Sequence, residues 1–257
     1  MQLKAKLIAA AAATVVSLPA FAGIATGGNG ELFWSIYDEV GQRAYVRDLG
    51  VTIDDFLAGA AAGQSWSIAN DATLESFLAG TSPDNLANLV WNLGAIDSSG
   101  VNRYITTGGT VPDTYSNQSI DKFDDGAAAY VGALNGIATH LTEENGSSIT
   151  TPGDNEAYFA FGYWGSNFGN NASGMTNTVG IGGVADLYYI AESSSAFAQR
   201  FNPGIVEVIE SGTGLKYTAY YADGALNITA VPEPSTYAML GLGLLGIGAL
   251  ARRRRKA

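Results

Sequence analysis

The chain ends in a segment that suits a membrane better than a folded domain, and this limits which residues can form the fold. Ser235–Ala251 contains 17 uncharged residues, and four arginines and a lysine follow at positions 252–256. As a helix rising about 1.5 Å per residue, the segment would span roughly 25 Å, a little less than a hydrocarbon core of about 30 Å. The basic cluster resists crossing a bilayer and stays in the cytoplasm. We interpret 235–251 as a transiently inserted transmembrane helix, with a permanent single-span anchor as the alternative.

A short motif directly precedes this helix. Pro232, Glu233 and Pro234 form it, and its two prolines prevent the helix from extending backwards. The motif, the apolar helix and the arginine cluster, in this order, resemble the PEP-CTERM sorting signal of Gram-negative bacteria. The resemblance implies processing near the motif by an exosortase, a membrane transpeptidase-like enzyme. It also implies export linked to exopolysaccharide and biofilm production.

The other end of the chain has the parts of a secretory signal peptide. Lys4 and Lys6 form a basic start, and residues 7–18 are apolar. Ala20 and Ala22 supply the small side chains that signal peptidase reads, so we expect cleavage directly after the second of them. An amphipathic surface helix is the alternative, but this segment has no polar face.

The two signals divide the chain into a signal peptide (1–22), a mature secreted domain (23–231) and a sorting signal (232–257). About 209 mature residues suit one domain, or two small ones, and are enough for a sizeable core. This part holds six cations and 23 acids, so its net charge is near −17. Such acidity argues against nucleic acid and anionic lipid as partners of the domain. It favours solubility or cation-mediated association with polyanions.

The composition predicts the fold class. The chain has 33 glycines, and Asn, Ser and Thr separate its apolar runs, which is typical of β-proteins with many turns. We predict a mainly β domain with helical insertions, built as an antiparallel β-sandwich. Its local signals include a first strand at 31–37, a helix capped by Thr52, and a hairpin turn at Asp223-Gly224. Trp34, Trp66 and Trp91 lie in strand-like runs and are predicted to be core.

Later segments are predicted from periodicity and polarity. Residues 120–141 have helical spacing, residues 143–155 are polar and predicted to be exposed, and residues 157–162 predict a strand.

The sequence offers few means for catalysis. There is no cysteine, which excludes disulfides, thiol nucleophiles and Cys-ligated zinc. His140 is the single histidine, and no G-x-S-x-G motif exists to complete a Ser-His-Asp site with it. We interpret His140 as a cation near a helix C-terminus. We therefore expect no catalytic residues and no enzymatic activity.

Calcium is the one cofactor for which the chain has candidate ligands. Asp121, Asp124 and Asp125 provide carboxylate oxygens close together in sequence, but without EF-hand spacing. The alternative is that these acids cap the start of a helix.

Aromatic residues are densest at 158–168. Within this run, Tyr163, Trp164 and Asn167 are candidate glycan-binding residues, because sugars stack on aromatic faces beside hydrogen-bonding side chains. The alternative is a core strand that continues into a loop.

These features lead to one principal functional hypothesis and two alternatives. We expect a non-enzymatic protein that is exported across the inner membrane to the cell surface or extracellular matrix, with signal peptidase and exosortase as processing partners. There it would belong to the exopolysaccharide or biofilm matrix. The first alternative is a carbohydrate-binding module, and the second is a polysaccharide-active enzyme with a carboxylate pair.

Overall fold

All strands of the described part of the chain belong to one antiparallel sheet. The computed structural model describes residues 23–108, 111, 114–137, 140, 145–159 and 176–231. The strands are β1 (Glu31–Asp38), β2 (Arg43–Thr52), β3 (Trp66–Ala69), β4 (Val90–Asp97), β5 (Arg103–Gly108), β6 (Ser147–Thr150), β7 (Val179–Gly180), β8 (Val184–Ala191), β9 (Ile205–Val208), β10 (Lys216–Ala222) and β11 (Ala225–Val231). The α-helices are α1 (Ile53–Ala61), α2 (Ala72–Gly80) and α3 (Asn117–Asn135), and short 3-10 helices cover Leu86–Asn88, Pro152–Ala157 and Phe197–Gln199. The predicted class, mainly β with helical insertions, is confirmed.

The sheet curls back on itself. Its strand order is β3-β11-β10-β8-β5-β4-β1-β2-β6, with β7 added to β4 and β9 added to β8. In a flat sheet, β2 and β3 would lie roughly 34 Å apart, because seven steps of about 4.8 Å separate them. Instead, Arg47 of β2 donates a hydrogen bond of 2.8 Å from Nη1 to the carbonyl oxygen of Ala69 in β3. Two layers thus arise from one continuous sheet.

Both faces of the central strand β1 are buried. Trp34 and Ile36 point into an inner core enclosed by the curled sheet, α1 and α2, and neither side chain is exposed. Phe33 points to the opposite, outer core, where its ring centre lies 6.0 Å from that of Tyr130 in α3. The alternation of neighbouring residues between two cores explains why β1 reads as a continuous apolar run.

Two local predictions are confirmed in detail. Thr52 caps α1, and its Oγ1 accepts a hydrogen bond of 3.2 Å from the backbone N–H of Asp55. Asp223 and Gly224 join β10 to β11 with φ values of 53° and 73°, so both lie in the left-handed region of a type I′ turn.

The helix predicted at 120–141 differs at both ends. Helix α3 starts at Asn117 after the capping residue Ser116, and it ends at Asn135. Gly136 forms its C-cap, so the apolar spacing beyond this glycine does not continue the helix.

Two other local predictions are wrong. The polar segment at 143–155 contains the edge strand β6, in which Ser148 and Thr150 are buried. The strand predicted at 157–162 is replaced, in its described part, by the end of a 3-10 helix and by Tyr158 and Phe159 in non-strand conformation. Side chains of these two residues fill the outer core, which explains their strand-like hydrophobicity.

In the described part of the chain, no helix combines the length and hydropathy needed to cross a membrane. The predicted sorting helix at 235–251 and the signal peptide at 1–22 lie outside the described residues.

Candidate functional site: a groove beside two exposed phenylalanines

The predicted glycan-binding cluster is only partly described. Tyr163, Trp164 and Asn167 lie outside the described residues. Tyr158 and Phe159, at the start of the same run, are 3% and 0% exposed and belong to the outer core. The described part of the run therefore agrees with the core alternative.

Exposed aromatic side chains occur elsewhere, between β8 and β9. Phe197 and Phe201 are 78% and 69% exposed. The guanidinium carbon of Arg200 lies 4.1 Å from the ring centre of Phe197 and 4.6 Å from that of Phe201, which is cation–π geometry. We call these three residues the aromatic–arginine patch. Full burial of one such ring would contribute about 2 kcal/mol, so the patch leaves a substantial stabilising free energy unused.

A buried asparagine holds the loop that carries this patch. Asn117, 1% exposed at the start of α3, donates from Nδ2 to the carbonyl oxygens of Ser194 and Gln199, both at 3.1 Å. Its Oδ1 accepts from the N–H of Ser193 at 2.9 Å and from the hydroxyl of the same residue at 3.2 Å. All four bonds are made by one side chain, so residues 193–204 form an ordered loop.

Close packing fixes the end of the same loop. Gly204 donates a backbone hydrogen bond of 2.7 Å to the carbonyl oxygen of Tyr115, and a Cβ at this position would lie 2.8 Å from the backbone carbonyl oxygen of Ala191. A larger residue would therefore require the backbone to shift. The exposed rings thus stand on a loop that is anchored at both ends.

A polar groove of about 300 Å³ adjoins the patch. At its base, Asn102 donates from its backbone N–H to Oε2 of Glu192 at 3.1 Å and from Nδ2 to Oδ1 of Asp121 at 3.2 Å. Gln118 and the serines of the 193–204 loop line the sides. We call this the Asn102 groove. Its lining of amides, hydroxyls and carboxylates can donate and accept hydrogen bonds beside an aromatic surface.

A second depression, of about 390 Å³, shares Glu192 with the groove and is lined by an ion-pair network. Arg103 donates from Nε to Asp97 at 2.8 Å, from Nη1 to Asp54 at 2.5 Å and from Nη2 to Asn29 at 3.4 Å. The bonds to Asp54 raise the pKa of Arg103 against the effect of burial. This network joins four segments of the chain and serves to hold the structure together.

The pKa of Asp97 reflects the same network. Burial alone would raise it, but hydrogen bonds from the hydroxyl and backbone of Ser99 and from Arg103 outweigh burial and lower it. Asp97 therefore stays ionised and paired.

The three calcium candidates lie on α3. The Asp121 side chain contacts Asn102, and the side chains of Asp124 and Asp125 lie outside the described part. These acids do not cap the start of the helix, because Ser116 does. Within the described ranges, no three His, Cys, Asp or Glu side chains are grouped to hold a metal ion. Calcium binding stays a prediction.

The prediction that His140 is a cation near a helix C-terminus is wrong in the charge. His140 is fully buried, and its Nε2 lies 2.9 Å from the hydroxyl of Ser148 in β6. Burial lowers the pKa of His140 to about 4, since the charged imidazolium would lose its hydration. The side chain is therefore neutral at pH 7.

This burial predicts acid sensitivity. The pKa of His140 is about 4 in the folded state and near 6.5 when unfolded, so its contribution to stability is complete above pH 6.5 and is lost as the pH falls towards 4. The loss amounts to about 3 kcal/mol. Denaturant titrations at pH 7 and pH 4 should show a smaller pH effect in His140→Gln than in the parent. Equal pH effects in both proteins would contradict the prediction.

One comparison with known proteins gave a match. Residues 230–256 match the PEP-CTERM protein-sorting motif, which includes Pro232, Glu233 and Pro234. The predicted sorting signal is confirmed, and it implies an exosortase-processed protein of the cell surface or exterior. Comparison with curated proteins and with solved structures gave no match. Ala20 and Ala22, the predicted signal-peptidase residues, lie outside the described part and stay predictions.

Sequence reasoning missed the aromatic–arginine patch and its anchor. Two signals were present: Phe197 and Phe201 flank Arg200 in a polar context, and Pro203-Gly204 directly afterwards marks a turn. The role of Asn117 had no local signal, because its partners are 76 to 82 residues away.

Proposed function

We propose that the mature domain is a non-enzymatic protein of the extracellular polysaccharide matrix that binds a neutral polysaccharide chain. The Asn102 groove and the aromatic–arginine patch form the binding surface. The observation that carries the proposal is an ordered loop that presents two exposed phenylalanine rings beside a polar groove. The sorting motif supports it, because it directs the protein to the location where such a chain is found.

The chemistry of the surface suits a sugar chain. The apolar C–H face of a pyranose ring packs on an aromatic ring, while its hydroxyls exchange hydrogen bonds with amide, hydroxyl and carboxylate groups. Asp121 accepts hydrogen bonds from sugar hydroxyls, and the guanidinium of Arg200 donates to their oxygens. A net charge near −17 repels polyanions, which favours a neutral chain.

The environment of the two groove acids supports binding rather than hydrolysis. A glycosidase needs two carboxyl groups that face the scissile bond from defined positions. Here Asp121 and Glu192 each have an oxygen engaged by the same residue, Asn102. This arrangement gives both carboxylates a role in forming the base of the groove.

Removing both rings should weaken binding strongly without unfolding the domain. In Phe197→Ala/Phe201→Ala we expect about a hundredfold weaker binding, since each ring at the centre of a contact contributes roughly a factor of ten. The stability should change by less than about 0.5 kcal/mol, because both rings are exposed. Val40→Ala is the matched control, as Val40 is 69% exposed and does not line the groove.

The measurement is calorimetric titration of the exported protein with a panel of neutral and acidic polysaccharides. Equal affinity in the double variant and the control would contradict the proposed site, and no binding by the parent would contradict the proposed function. Release of reducing ends from a bound chain, lost in Glu192→Gln, would replace it with the hydrolase alternative.

A further inference from the structure

The folded sheet reaches the sorting motif without a linker. Strand β11 ends at Val231, which pairs with Lys216 of β10, and the motif starts at the next residue. Ala230, paired with Tyr217, already belongs to the matched sorting signal. The last strand of the domain and the first residues of the signal are thus continuous.

Three segments meet where the chain leaves the sheet. The hydroxyls of Ser65 and Thr229 lie 2.9 Å apart, and the Tyr217 hydroxyl donates to the carbonyl oxygen of Gln64 at 2.6 Å. Gly212 donates a backbone hydrogen bond of 2.9 Å to Ala61. Residues 61–65, 211–215 and 229–231 therefore form one surface around the exit point. We call it the tail-exit surface.

The tail-exit surface carries no charge in a strongly acidic domain. Its segments read AAGQS, SGTGL and TAV, and residues 61–65 and 212–214 are exposed. The next charged residues along the turn are Glu210 and Lys216, one of each sign. The acids of α1, Asp54 and Asp55, lie in its first turn, about 10 Å from its end at Ala61. The tail-exit surface can therefore approach an anionic membrane without the repulsion expected of a domain with a net charge near −17.

The length of the connection limits how far the domain can stand from a membrane. Four Cα–Cα steps lead from Val231 to Ser235 at the start of the apolar segment, and they span at most about 14 Å. A headgroup layer of roughly 6 Å uses nearly half of this length. As the predicted helix, the 17-residue apolar segment would be shorter than the hydrocarbon core and would draw the connection further inward.

We propose that the tail-exit surface rests on the lipid headgroups while the sorting tail is inserted, and that the acidic remainder of the domain points away from the membrane. This inference rests on the proposed export and on insertion of residues 235–251. The occupant of the surface is the bilayer that holds the tail, and the connection is too short to admit another protein layer between them.

Fluorescence quenching of the full chain in vesicles tests the proposal. The vesicles contain phosphatidylethanolamine and phosphatidylglycerol, with a quencher attached to the lipid headgroups. Because the chain has no cysteine, Thr213→Cys can be labelled alone with a fluorophore at the tail-exit surface. Ser76→Cys is the matched control, since it is exposed on α2, which begins after the far end of β3. We expect strong quenching at position 213 and little at position 76.

A linker variant separates tethering from intrinsic lipid binding. About ten Gly and Ser residues between Val231 and Pro232 add roughly 17 Å of mean reach, so quenching at position 213 should fall to the level at position 76. Protease protection of the arginine end verifies insertion in every variant. Equal quenching at both positions without the linker, unchanged quenching with it, or failure of the tail to insert would each overturn the proposal. Glycan binding does not enter this readout. The result therefore bears on the membrane proposal alone and leaves the proposed glycan-binding function to its own test.

Discussion

Replacing Trp34 by alanine is expected to lower the free energy of unfolding by about 4 kcal/mol, a large part of the roughly 5 to 15 kcal/mol that stabilises a typical domain. Trp34 lies on β1, is fully buried and points into the inner core. Its ring centre is 5.6 Å from that of Tyr45 in β2 and 5.4 Å from that of Tyr221 in β10. Because β1 and β10 are four positions apart in the sheet order, this indole joins the two layers of the curled sheet.

Trp34→Phe is the control for the size of the ring. The indole Nε1 has no hydrogen-bond partner among the described residues, so phenylalanine removes volume without breaking a hydrogen bond. We expect it to cost less than about 1.5 kcal/mol. Urea titration followed by circular dichroism measures both variants. A loss below about 1 kcal/mol in Trp34→Ala would mean that the layers close without this side chain.

The fold class followed from the sequence wherever the signal is local. Trp34, Trp66 and Trp91 were predicted as core because they lie in strand-like runs of aromatic and branched residues. Trp34 and Trp91 are fully buried, whereas Trp66 is partly buried against the inner core. Thr52 and the Asp223-Gly224 pair were recognised because capping and type I′ turns need these side chains and this backbone freedom. Such features depend on a few neighbouring residues and are therefore visible in the sequence.

Short and remote pairings were not visible. Strand β6 reads Ser-Ser-Ile-Thr, which has too little apolar alternation to be distinguished from a loop. Strand β3 has a strand-like run at Trp66, but its four residues carry no sign of their partner. Strand β3 pairs with β11 from the other end of the domain, at Ile228 opposite Trp66. The curling of the sheet likewise follows from contacts such as Arg47 with Ala69, which no local pattern encodes.

The candidate site shows the same division between local and remote causes. Aromatic density selected the run at 158–168, but density does not distinguish a buried ring from an exposed one. Phe159 fills the outer core, whereas Phe197 is mostly exposed on a loop held by tertiary hydrogen bonds. The exposure of Phe197 therefore depends on the loop that Asn117 holds in place, through hydrogen bonds that span more than 70 residues of sequence.

Asn117→Ala should consequently weaken both the fold and the site. The substitution removes two hydrogen bonds to the carbonyl oxygens of Ser194 and Gln199 and two from Ser193. The Ser193 hydroxyl keeps its hydrogen bond of 2.8 Å to the carbonyl oxygen of Pro203, so three backbone groups lose a hydrogen-bond partner. At roughly 1 kcal/mol for each of them, we expect a loss of about 3 kcal/mol. Glycan affinity should fall at least tenfold on the proposed function, because the loop then pays an ordering entropy when it binds.

Asn135→Ala is the matched control for this effect. Asn135 lies at the other end of α3, where its Oδ1 accepts from the N–H of Ile24 at 2.9 Å and its Nδ2 donates to the carbonyl oxygen of Ile24 at 2.9 Å. It therefore loses the same kind of hydrogen bond from the same helix, but away from the groove. Urea titration and calorimetric glycan titration, at a temperature where both variants stay folded, separate the two roles.

The two variants, Asn117→Ala and Asn135→Ala, are distinguished by their glycan affinity rather than by their stability. Both variants should be less stable than the parent, but only Asn117→Ala should lose glycan affinity, since only its loop carries Phe197 and Phe201. Parental affinity in a folded Asn117→Ala protein would show that an ordered 193–204 loop is not required for binding. Phe197 and Phe201 would then bind glycan without the anchored loop that distinguishes them from ordinary exposed phenylalanines. The main structural argument for the site would therefore fail.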